Sequence, residues 1–363
     1  MVVEPAVAHM SHKYSDYMHW AKTQSRARFN LATSGVGAFP LRELGPLPEL
    51  EVNGDNSYGY APLKQAIAAR HGVDPGCVVT AAGTSMANYL AFATLLDPGD
   101  EVLIEHPTYG LLVDALQYVG AHIRRFARRE ENGYALDVGE VRRSITPKTR
   151  LIVVTNLHNP TSVLTPEGTL RELGALGVRV LVDEVYLDAV YENTPRTAFH
   201  LGPQFVVTNS LTKIYGVSGL RCGWILAEPD LARAMWRLND LFAATPVHPG
   251  ELLSVAVFQN LSTVRERFRK IVEADRKVLG EFLKRETAVS AARTEFGTTC
   301  FLHLLRGDAN EFLATLHAER ETSAVPGRFF EMPDHVRIGM GVNSEMFAEG
   351  LQRLSLHLPN HFQ

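Results

Sequence analysis

One lysine stands apart from the other cations of this chain, and its surroundings suit an amine that reacts as a nucleophile. Lys213 lies in the stretch TNSLTKIYGVSGLRCGW, after Ser210 and before Arg221. It follows an apolar run and precedes a glycine-rich segment, whereas most other lysines lie in polar stretches. Because burial favours the neutral amine, we predict that Lys213 forms a Schiff base with an aldehyde. A phosphate on that aldehyde would suit Arg221.

Other polar clusters share a position with the lysine segment, because each follows a short apolar or β-branched run. Between these runs lie stretches of helical length, which indicates an α/β fold with a mostly parallel sheet. Runs that are apolar throughout suit strands covered by helices on both faces. Since ligands bind at the carboxyl ends of such strands, we predict that the clusters form one site. The clusters are residues 83–85, 107–109, 156–162, 183–186 and 210–213.

The pattern changes near residue 249. Long helical stretches follow, and then shorter apolar runs at residues 300–305 and 335–338. With 363 residues, of which 45% are hydrophobic, the chain can form one large and one smaller domain. We predict a large α/β domain at 49–248 and a small α+β domain formed by 1–48 and 249–363.

Composition excludes several classes of function. A formal net charge of -4 argues against a general nucleic-acid-binding surface, and we read the local arginine cluster at residues 124–129 as a solvated edge strand. No apolar stretch reaches the roughly 20 residues that cross a bilayer, and no secretory core begins the chain. Three dispersed cysteines predict buried thiols rather than disulfides or zinc, which suits the cytoplasm. His9, His12 and His19 lack ligand spacing, so no metal site is predicted.

Six segments, in order and with suitable spacing, give the chain a family resemblance. It resembles the class I/II aminotransferases, aspartate aminotransferase-like enzymes of pyridoxal-phosphate fold type I. The resemblance implies pyridoxal 5'-phosphate as cofactor and a large domain whose mostly parallel seven-stranded sheet is covered by helices, beside a smaller α+β domain. The segments are SYGYAPLKQAIA, LLDPGDEVLIEHPTYG, NLHNPTSVLT, VDEVY, SLTKIYGVSGLRCGW and VRIGMG.

The resemblance implies a role for each residue around the cofactor ring. Lys213 would carry the Schiff base and move the substrate proton, and Asp183 would keep the pyridine nitrogen protonated. Tyr186 and Asn159 would hydrogen-bond the phenolic oxygen, while Tyr109 would stack on the ring. Each residue also has a purely structural alternative. Asp183 could cap a helix, Tyr186 and Asn159 could be buried polar residues, and Tyr109 could be an aromatic residue of the core.

Phosphate binding is expected from two segments. Gly83, Thr84 and Ser85 precede a helical stretch, where free amides and hydroxyls bind a dianion, although a simple helix cap would look the same. Ser210 and Arg221 would complete the phosphate site from the lysine segment.

The resemblance also implies a shared active site. In this family a tyrosine of the neighbouring subunit reaches the phosphate, and Tyr58 is the matching residue, with Tyr60 as an alternative. We therefore expect a homodimer.

Substrate binding is expected at two positions besides Asn159. Arg337 resembles the arginine that binds the substrate α-carboxylate, with a surface ion pair as the alternative. Gly37 would allow the backbone to approach the substrate. Tyr17, His19 and Trp20 could line the pocket or equally anchor an N-terminal helix on a dimer partner. One departure from the family pattern is Ser162, where many relatives have glycine; we expect its hydroxyl close to the edge of the cofactor.

The predicted function is transfer of an amino group from an L-amino acid to a 2-oxo acid. The first alternative keeps the cofactor and breaks another bond, as β-lyases, decarboxylases and cyclases on this scaffold do. The second is a non-catalytic regulatory module, which we disfavour because Lys213 lies too near the start of the chain for a preceding DNA-binding domain.

Overall fold

A seven-stranded sheet forms the centre of this computed structural model, which describes residues 13–361. Numbered after β1 (Phe29–Asn30), its strands are β2 (Val78–Ala82), β3 (Glu101–His106), β4 (His122–Ala127), β5 (Thr149–Thr155), β6 (Arg179–Asp183), β7 (Phe205–Ser210) and β8 (Cys222–Leu226). Their order across the sheet is β2-β8-β7-β6-β5-β3-β4, and β8 alone runs antiparallel to its neighbours. The predicted mostly parallel, seven-stranded sheet is confirmed.

Helices cover both faces of this sheet. In β5, the alternate side chains Ile152 and Val154 enter one core, while Leu151 and Val153 enter the core on the opposite face. This two-sided burial explains why the strand is apolar throughout. The helices of the large lobe are α2 (Ala61–His71), α3 (Thr84–Leu95), α4 (Gly110–Tyr118), α5 (Val138–Ser144), α6 (Glu167–Gly174), α7 (Pro229–Asn239) and α8 (His248–Gln259).

A second lobe is built on a four-stranded antiparallel sheet of order β12-β13-β10-β9. Its strands are β9 (Val289–Ala291), β10 (Thr299–Leu304), β12 (Val325–Pro326) and β13 (His335–Gly339), and β1 pairs separately with β11 (Thr322–Ser323). Its helices are α10 (Ala309–Arg320) and α11 (Ser344–His361).

One long helix, α9 (Leu261–Arg285), joins the two cores. Phe268 near its start packs in the large core, whereas Leu279 packs in the small core. Leu31, beside β1, also enters the small core. The predicted domain boundaries at residues 48 and 249 stay a prediction. In the structure α8 and the start of α9, which follow the second boundary, pack with the large lobe.

The turn between β2 and α3 shows how the sheet positions its functional residues. Gly83 has a φ of 82°, a left-handed conformation that a residue without Cβ adopts at little cost. The chain therefore reverses at once, and the first turn of α3 begins at the carboxyl edge of the sheet.

The arginine-rich segment forms the edge strand β4, but one of its arginines is not solvated. Arg128, just after β4, is fully buried, and its Nη1 lies 2.9 Å from Oε2 of the equally buried Glu105. Glu105 also accepts hydrogen bonds from the backbone N–H and hydroxyl of Thr155. The expectation of a solvated cluster was wrong here, because a carboxylate on the neighbouring strand compensates the guanidinium.

Removal of this arginine should destabilise the fold. We expect Arg128→Met to lower the free energy of unfolding by about 3–5 kcal/mol, because Glu105 is left buried without a counter-charge. Arg124→Met is the matched control, since Arg124 is partly exposed and pairs with Glu101 at 3.6 Å; its loss should cost less than about 1 kcal/mol. Denaturant unfolding measures both, and equal losses would contradict the role of the buried pair.

Two remaining features bear on the class of protein. Within the described part of the chain, every helix is too short or too polar to cross a bilayer. Cys77, Cys222 and Cys300 are buried free thiols.

Candidate active site

A cavity of about 360 Å³ lies at the carboxyl ends of the parallel strands, between the two lobes. Nine of the residues predicted from the sequence line it, although they come from loops and elements far apart in the chain. They are Thr84, Ser85, Tyr109, Asn159, Asp183, Tyr186, Lys213, Arg221 and Arg337.

Lys213 extends its amine into this cavity. Its Nζ donates a hydrogen bond of 2.6 Å to Oγ of Ser34 and lies 6.0 Å from the centre of the Tyr186 ring. Burial lowers the pKa of Lys213, which increases the fraction of the neutral, nucleophilic amine. Gly35 presses against the same lysine, since a Cβ there would come within 2.8 Å of its carbonyl oxygen.

Asp183, at the end of β6, is held by two donors. Its Oδ2 accepts a 2.8 Å hydrogen bond from Nδ2 of Asn88, and its Oδ1 accepts one from the backbone N–H of Val185. The hydroxyl of Thr208 donates in turn to Oδ1 of Asn88, which fixes the amide. Burial raises the pKa of Asp183 to about 6, so a cationic partner in the cavity would stabilise the carboxylate.

The start of α3 forms a cradle with Arg221. The guanidinium donates to the carbonyl of Ala82 at 3.0 Å and packs so closely on Gly83 that a Cβ there would overlap it. The hydroxyl of Thr84 is buried without a hydrogen-bond partner in the described residues. Together with the free amides of the first helical turn, these groups can bind a phosphate.

Substitution of Gly83 tests this cradle. We expect Gly83→Ala to weaken binding of pyridoxal phosphate at least about tenfold, because the methyl group would displace Arg221 and the left-handed backbone would be strained. Absorbance titration of the cofactor-free protein measures the dissociation constant. Gly168→Ala is the control, since no atom lies within 4 Å of a Cβ there. Equal affinities in the two variants would contradict the cradle.

Arg337, on β13, is fully buried at the other end of the cavity. Its Nη1 donates to Oδ1 of Asn159 at 3.1 Å, and its Nη2 donates to the hydroxyl of Tyr17 at 3.0 Å. Its Nε has no partner, and no carboxylate of the described residues forms an ion pair with it. A buried guanidinium without a counter-anion favours an anionic ligand.

Aromatic side chains form one wall of the cavity. The rings of Tyr17 and Tyr109 meet edge to face, with centroids 5.3 Å apart. Tyr17 thus lines the pocket, whereas Trp20 packs on Phe329 outside it and His19 is exposed. His9 lies outside the described residues, as does His12.

Four predicted residues do not line this cavity. One of them, Gly83, lies behind Arg221 in the cradle; the others are Ser210, Tyr58 and Gly37. Oγ of Ser210 accepts a hydrogen bond from the N–H of Thr212. Tyr58 is 43% exposed, and its hydroxyl donates to Asp240 at 3.4 Å. Gly37 packs against Val342, whereas Gly35 packs against Lys213.

Ser162 also differs from expectation. It adopts a φ of 64°, in the left-handed region that favours glycine, but its hydroxyl points away from the cavity. Oγ donates to the carbonyl oxygen of Thr299 at 2.8 Å. Because Thr299 belongs to β10, this hydroxyl connects the two lobes rather than approaching a cofactor.

Sequence reasoning missed Ser34 and Asn88, which line the cavity, and Gly35, which packs against Lys213. Asn88 had a usable signal, since it lies four residues after Thr84 and therefore on the same face of α3. Ser34 and Gly35 lie about 180 residues from Lys213, and local patterns do not show such a contact.

The donor set fits pyridoxal phosphate. Besides the unpartnered hydroxyl of Thr84 at the cradle, the buried hydroxyl of Tyr186 has no hydrogen-bond partner in the described residues. With Oδ1 of Asn159 engaged by Arg337, its amide nitrogen is left to donate. A phosphate, a phenolic oxygen, a pyridinium nitrogen and an aldehyde would thus each find a matching protein group.

One group of three possible metal ligands occurs in the described residues, outside this cavity. Glu130 lies near His303 and His335, and Oε2 of Glu130 is 2.9 Å from Nδ1 of His303. The two imidazole rings stack with an angle of 6° between their planes and centroids 4.4 Å apart. The lone pairs of the two rings therefore lie in parallel planes and do not converge on one ion.

Comparisons with known proteins agree with this geometry. The family described as "Aminotransferase class I and II" matches residues 53–354. Capreomycidine synthase of Streptomyces vinaceus is 32% identical over 93% of this chain and 91% of its own length, and an aspartate aminotransferase of Streptomyces avermitilis is 26% identical over 82% and 79%. The crystal structure of a PLP-dependent aminotransferase from Streptococcus suis superposes with a TM-score of 0.88 at 25% identity, covering 95% of this chain and 97% of that one.

Proposed function

The chain belongs to the class I and II aminotransferases, which are pyridoxal-phosphate-dependent enzymes, and we propose that the cavity around Lys213 is its active site. The observation that carries the proposal is the separation of charges within that cavity. A buried carboxylate, Asp183, and an amine lie towards the large lobe, while the uncompensated guanidinium of Arg337 faces them from the small lobe. This arrangement suits a cationic ring at one end and a substrate carboxylate at the other.

Residues of the large lobe hold the cofactor in this proposal. When bound, pyridoxal phosphate supplies an aldehyde that condenses with amines and a ring that accepts the electrons left when the substrate Cα loses its proton. Asp183, fixed by Asn88, pairs with the pyridinium nitrogen. Tyr186 and Asn159 donate to the phenolic oxygen, and Tyr109 stacks on the ring.

Phosphate binding is assigned to the cradle at the start of α3. Gly83, Thr84 and Ser85 supply amides and hydroxyls, and Arg221 supplies charge. Ser210 stays a proposal as a further donor, since its hydroxyl would have to turn from the N–H of Thr212.

Substrate handling falls to three side chains. Arg337 binds the α-carboxylate of the amino acid and so orients the bonds to Cα, and Tyr17 fixes the guanidinium. Nζ of Lys213 would accept the proton from the substrate Cα and donate it to C4′, the aldehyde carbon of the cofactor, a transfer that the lowered pKa of the amine favours. A substrate-binding role for Gly37 stays a proposal, and its support is that Gly37 lies in the same loop as Gly35, which packs against Lys213.

Isotope transfer tests the reaction. The holoenzyme is incubated with ¹⁵N-labelled L-amino acids and an unlabelled 2-oxo acid, and products are identified by mass spectrometry. Amino transfer predicts a new amino acid that carries the label, together with the oxo acid of the donor. Release of labelled ammonia or of carbon dioxide, or formation of a cyclic product, without transfer of the label would contradict the assignment of amino transfer.

A second candidate is a cyclase, lyase or decarboxylase on the same scaffold. It is favoured by the 32% identity with a relative named as a synthase, capreomycidine synthase, which exceeds the 26% shared with the aspartate aminotransferase. The same incubation separates the two, because each bond cleavage at Cα leaves a different product. A non-catalytic module is not supported by the family membership.

We further propose a homodimer. Tyr58 is exposed, and beyond its hydrogen-bond partner Asp240 lie the exposed side chains of Leu241 and Phe242, which are 77% and 49% accessible. Exposed apolar groups clustered in this way favour a protein partner, and Tyr58 would then reach the neighbouring phosphate. Tyr60 is the weaker candidate, since its ring packs edge to face on His248.

Sedimentation tests the dimer. The chain should sediment at twice its mass of 40.2 kDa, and Leu241→Asp should shift it towards the monomer. Leu305→Asp is the control, because Leu305 is also exposed but lies in the small lobe. A monomeric unaltered protein would contradict the proposal.

A cytoplasmic location is also proposed, because the three cysteines are free in the structure and disulfides are rare in that compartment.

A further inference from the structure

A second cavity, of about 600 Å³, lies on the large lobe. It is formed by the end of α2, the helical turns at Leu187–Asn193 and the start of α9, and it shares no lining residue with the first cavity. The two cavities are nevertheless close, because Asp183 lines the first and Glu184 the second. Successive residues at the end of a strand point in opposite directions, which explains the division.

Polar atoms in this second cavity lack partners. Oε2 of Glu184 and the hydroxyl of Tyr191 are buried and form no hydrogen bond within the described residues, although these side chains are only 1% and 7% exposed. Nε of Arg265 and Nε2 of His71 are also buried without a hydrogen-bond partner in the described residues. Since nearly all buried polar groups in proteins are hydrogen-bonded, four such atoms around one cavity indicate a ligand.

Three of these four atoms, those of Glu184, Tyr191 and Arg265, can donate a hydrogen bond. Oε1 of Glu184 accepts a 2.8 Å hydrogen bond from the N–H of Ala198, and burial raises the pKa of Glu184 to about 8. The raised pKa favours the protonated carboxyl group, which can donate a hydrogen bond. Tyr191 and Arg265 also present donors, so the matching ligand is rich in acceptor atoms.

The charge of the cavity also favours an anion. Arg70 and Arg269 are already neutralised by carboxylates, Asp188 and Glu266 respectively. Arg265 and the exposed Arg196 form no ion pair in the part of the chain that the structure describes. Two guanidinium groups are thus free to bind an oxyanion at the mouth of the cavity.

We propose that this cavity is a second ligand site, which binds the phosphate or carboxylate group of a small molecule. Glu184, Tyr191 and Arg265 donate to the oxyanion, and Arg196 closes the site from the solvent side. The site is independent of the proposed reaction, because none of these residues contacts the first cavity.

Calorimetry of the holoenzyme with inorganic phosphate tests this site. Bound pyridoxal phosphate fills the cradle at α3, so added phosphate should report on the second cavity. We expect one saturable site per chain, with affinity about tenfold weaker in Arg265→Gln and in Tyr191→Phe, each of which removes a donor. Arg267→Gln is the matched control on the same helix, since Arg267 pairs with Glu43 away from the cavity; its affinity should stay within about twofold.

Arg196→Gln is the variant least expected to misfold, because this side chain is exposed and its removal leaves the core undisturbed. We expect it to bind phosphate about threefold more weakly. No saturable binding, or unchanged affinity in Arg196→Gln and Arg265→Gln, would overturn the proposal. Loss of binding in Arg337→Gln instead would locate the phosphate in the first cavity and overturn it equally.

Discussion

Replacement of Lys213 by alanine should lower the turnover number about ten-thousandfold or more, measured with excess pyridoxal phosphate. The amine is the nucleophile that condenses with the aldehyde and the base that moves the substrate proton, and positioned proton transfer alone contributes about 10²–10⁴. Its hydrogen bond of 2.6 Å to Ser34 and its lowered pKa are the features that we expect of an amine held for reaction.

The fold should survive this change, which separates chemistry from structure. The cradle at Gly83 and Arg221 is intact in the variant, so the cofactor should still bind, though without a covalent link. Lys284→Ala is the control, since Lys284 is exposed and pairs only with Glu281. If Lys213→Ala kept more than about a tenth of the activity, Lys213 could not be the reacting amine.

The second large effect is expected at Arg337. We expect Arg337→Gln to lower kcat/KM about 100- to 1,000-fold, mostly through a higher KM, because two charge-assisted hydrogen bonds to the substrate carboxylate are lost. The kcat/KM of Arg337→Lys should lie between those of the unaltered enzyme and Arg337→Gln, since lysine keeps the charge and loses the paired geometry. Affinity for pyridoxal phosphate, measured by absorbance, should change little.

Stability gives the sharper distinction. The Arg337 guanidinium is fully buried without an ion-pair partner, so its removal should leave the free energy of unfolding unchanged or raise it. Arg276 is the matched control, because its guanidinium is saturated by the carbonyl oxygens of Gly297 and Thr294. Arg276→Gln should lower stability and leave KM unaltered. A loss of stability in Arg337→Gln with unchanged KM would show a structural arginine.

Much of this architecture follows from the sequence because strand burial leaves a strong pattern. Apolar runs such as residues 151–154 predict strands covered on both faces, and the polar residues after them meet at one edge by topology alone. Asp183, Lys213 and Thr84 could therefore be placed together. Arg128 could not be assigned, because its buried partner Glu105 lies on a neighbouring strand.

Other residues could not be predicted from the sequence, because their positions depend on tertiary contacts. Ser34 and Gly35 reach Lys213 only when the N-terminal segment packs between the lobes. The direction of the Ser162 hydroxyl is set by β10, 137 residues away in sequence. The proposed role of Tyr58 depends on a second chain, so neither the sequence nor one subunit can show it.

The most direct test of the account is the location of the covalent cofactor. The holoenzyme is reduced with borohydride, digested, and mapped by peptide mass spectrometry. We expect the mass of reduced pyridoxal phosphate on the peptide containing Lys213, and on none of the other seven lysines. Attachment to another lysine, or no attachment in a protein saturated with the cofactor, would contradict the assignment of the active site.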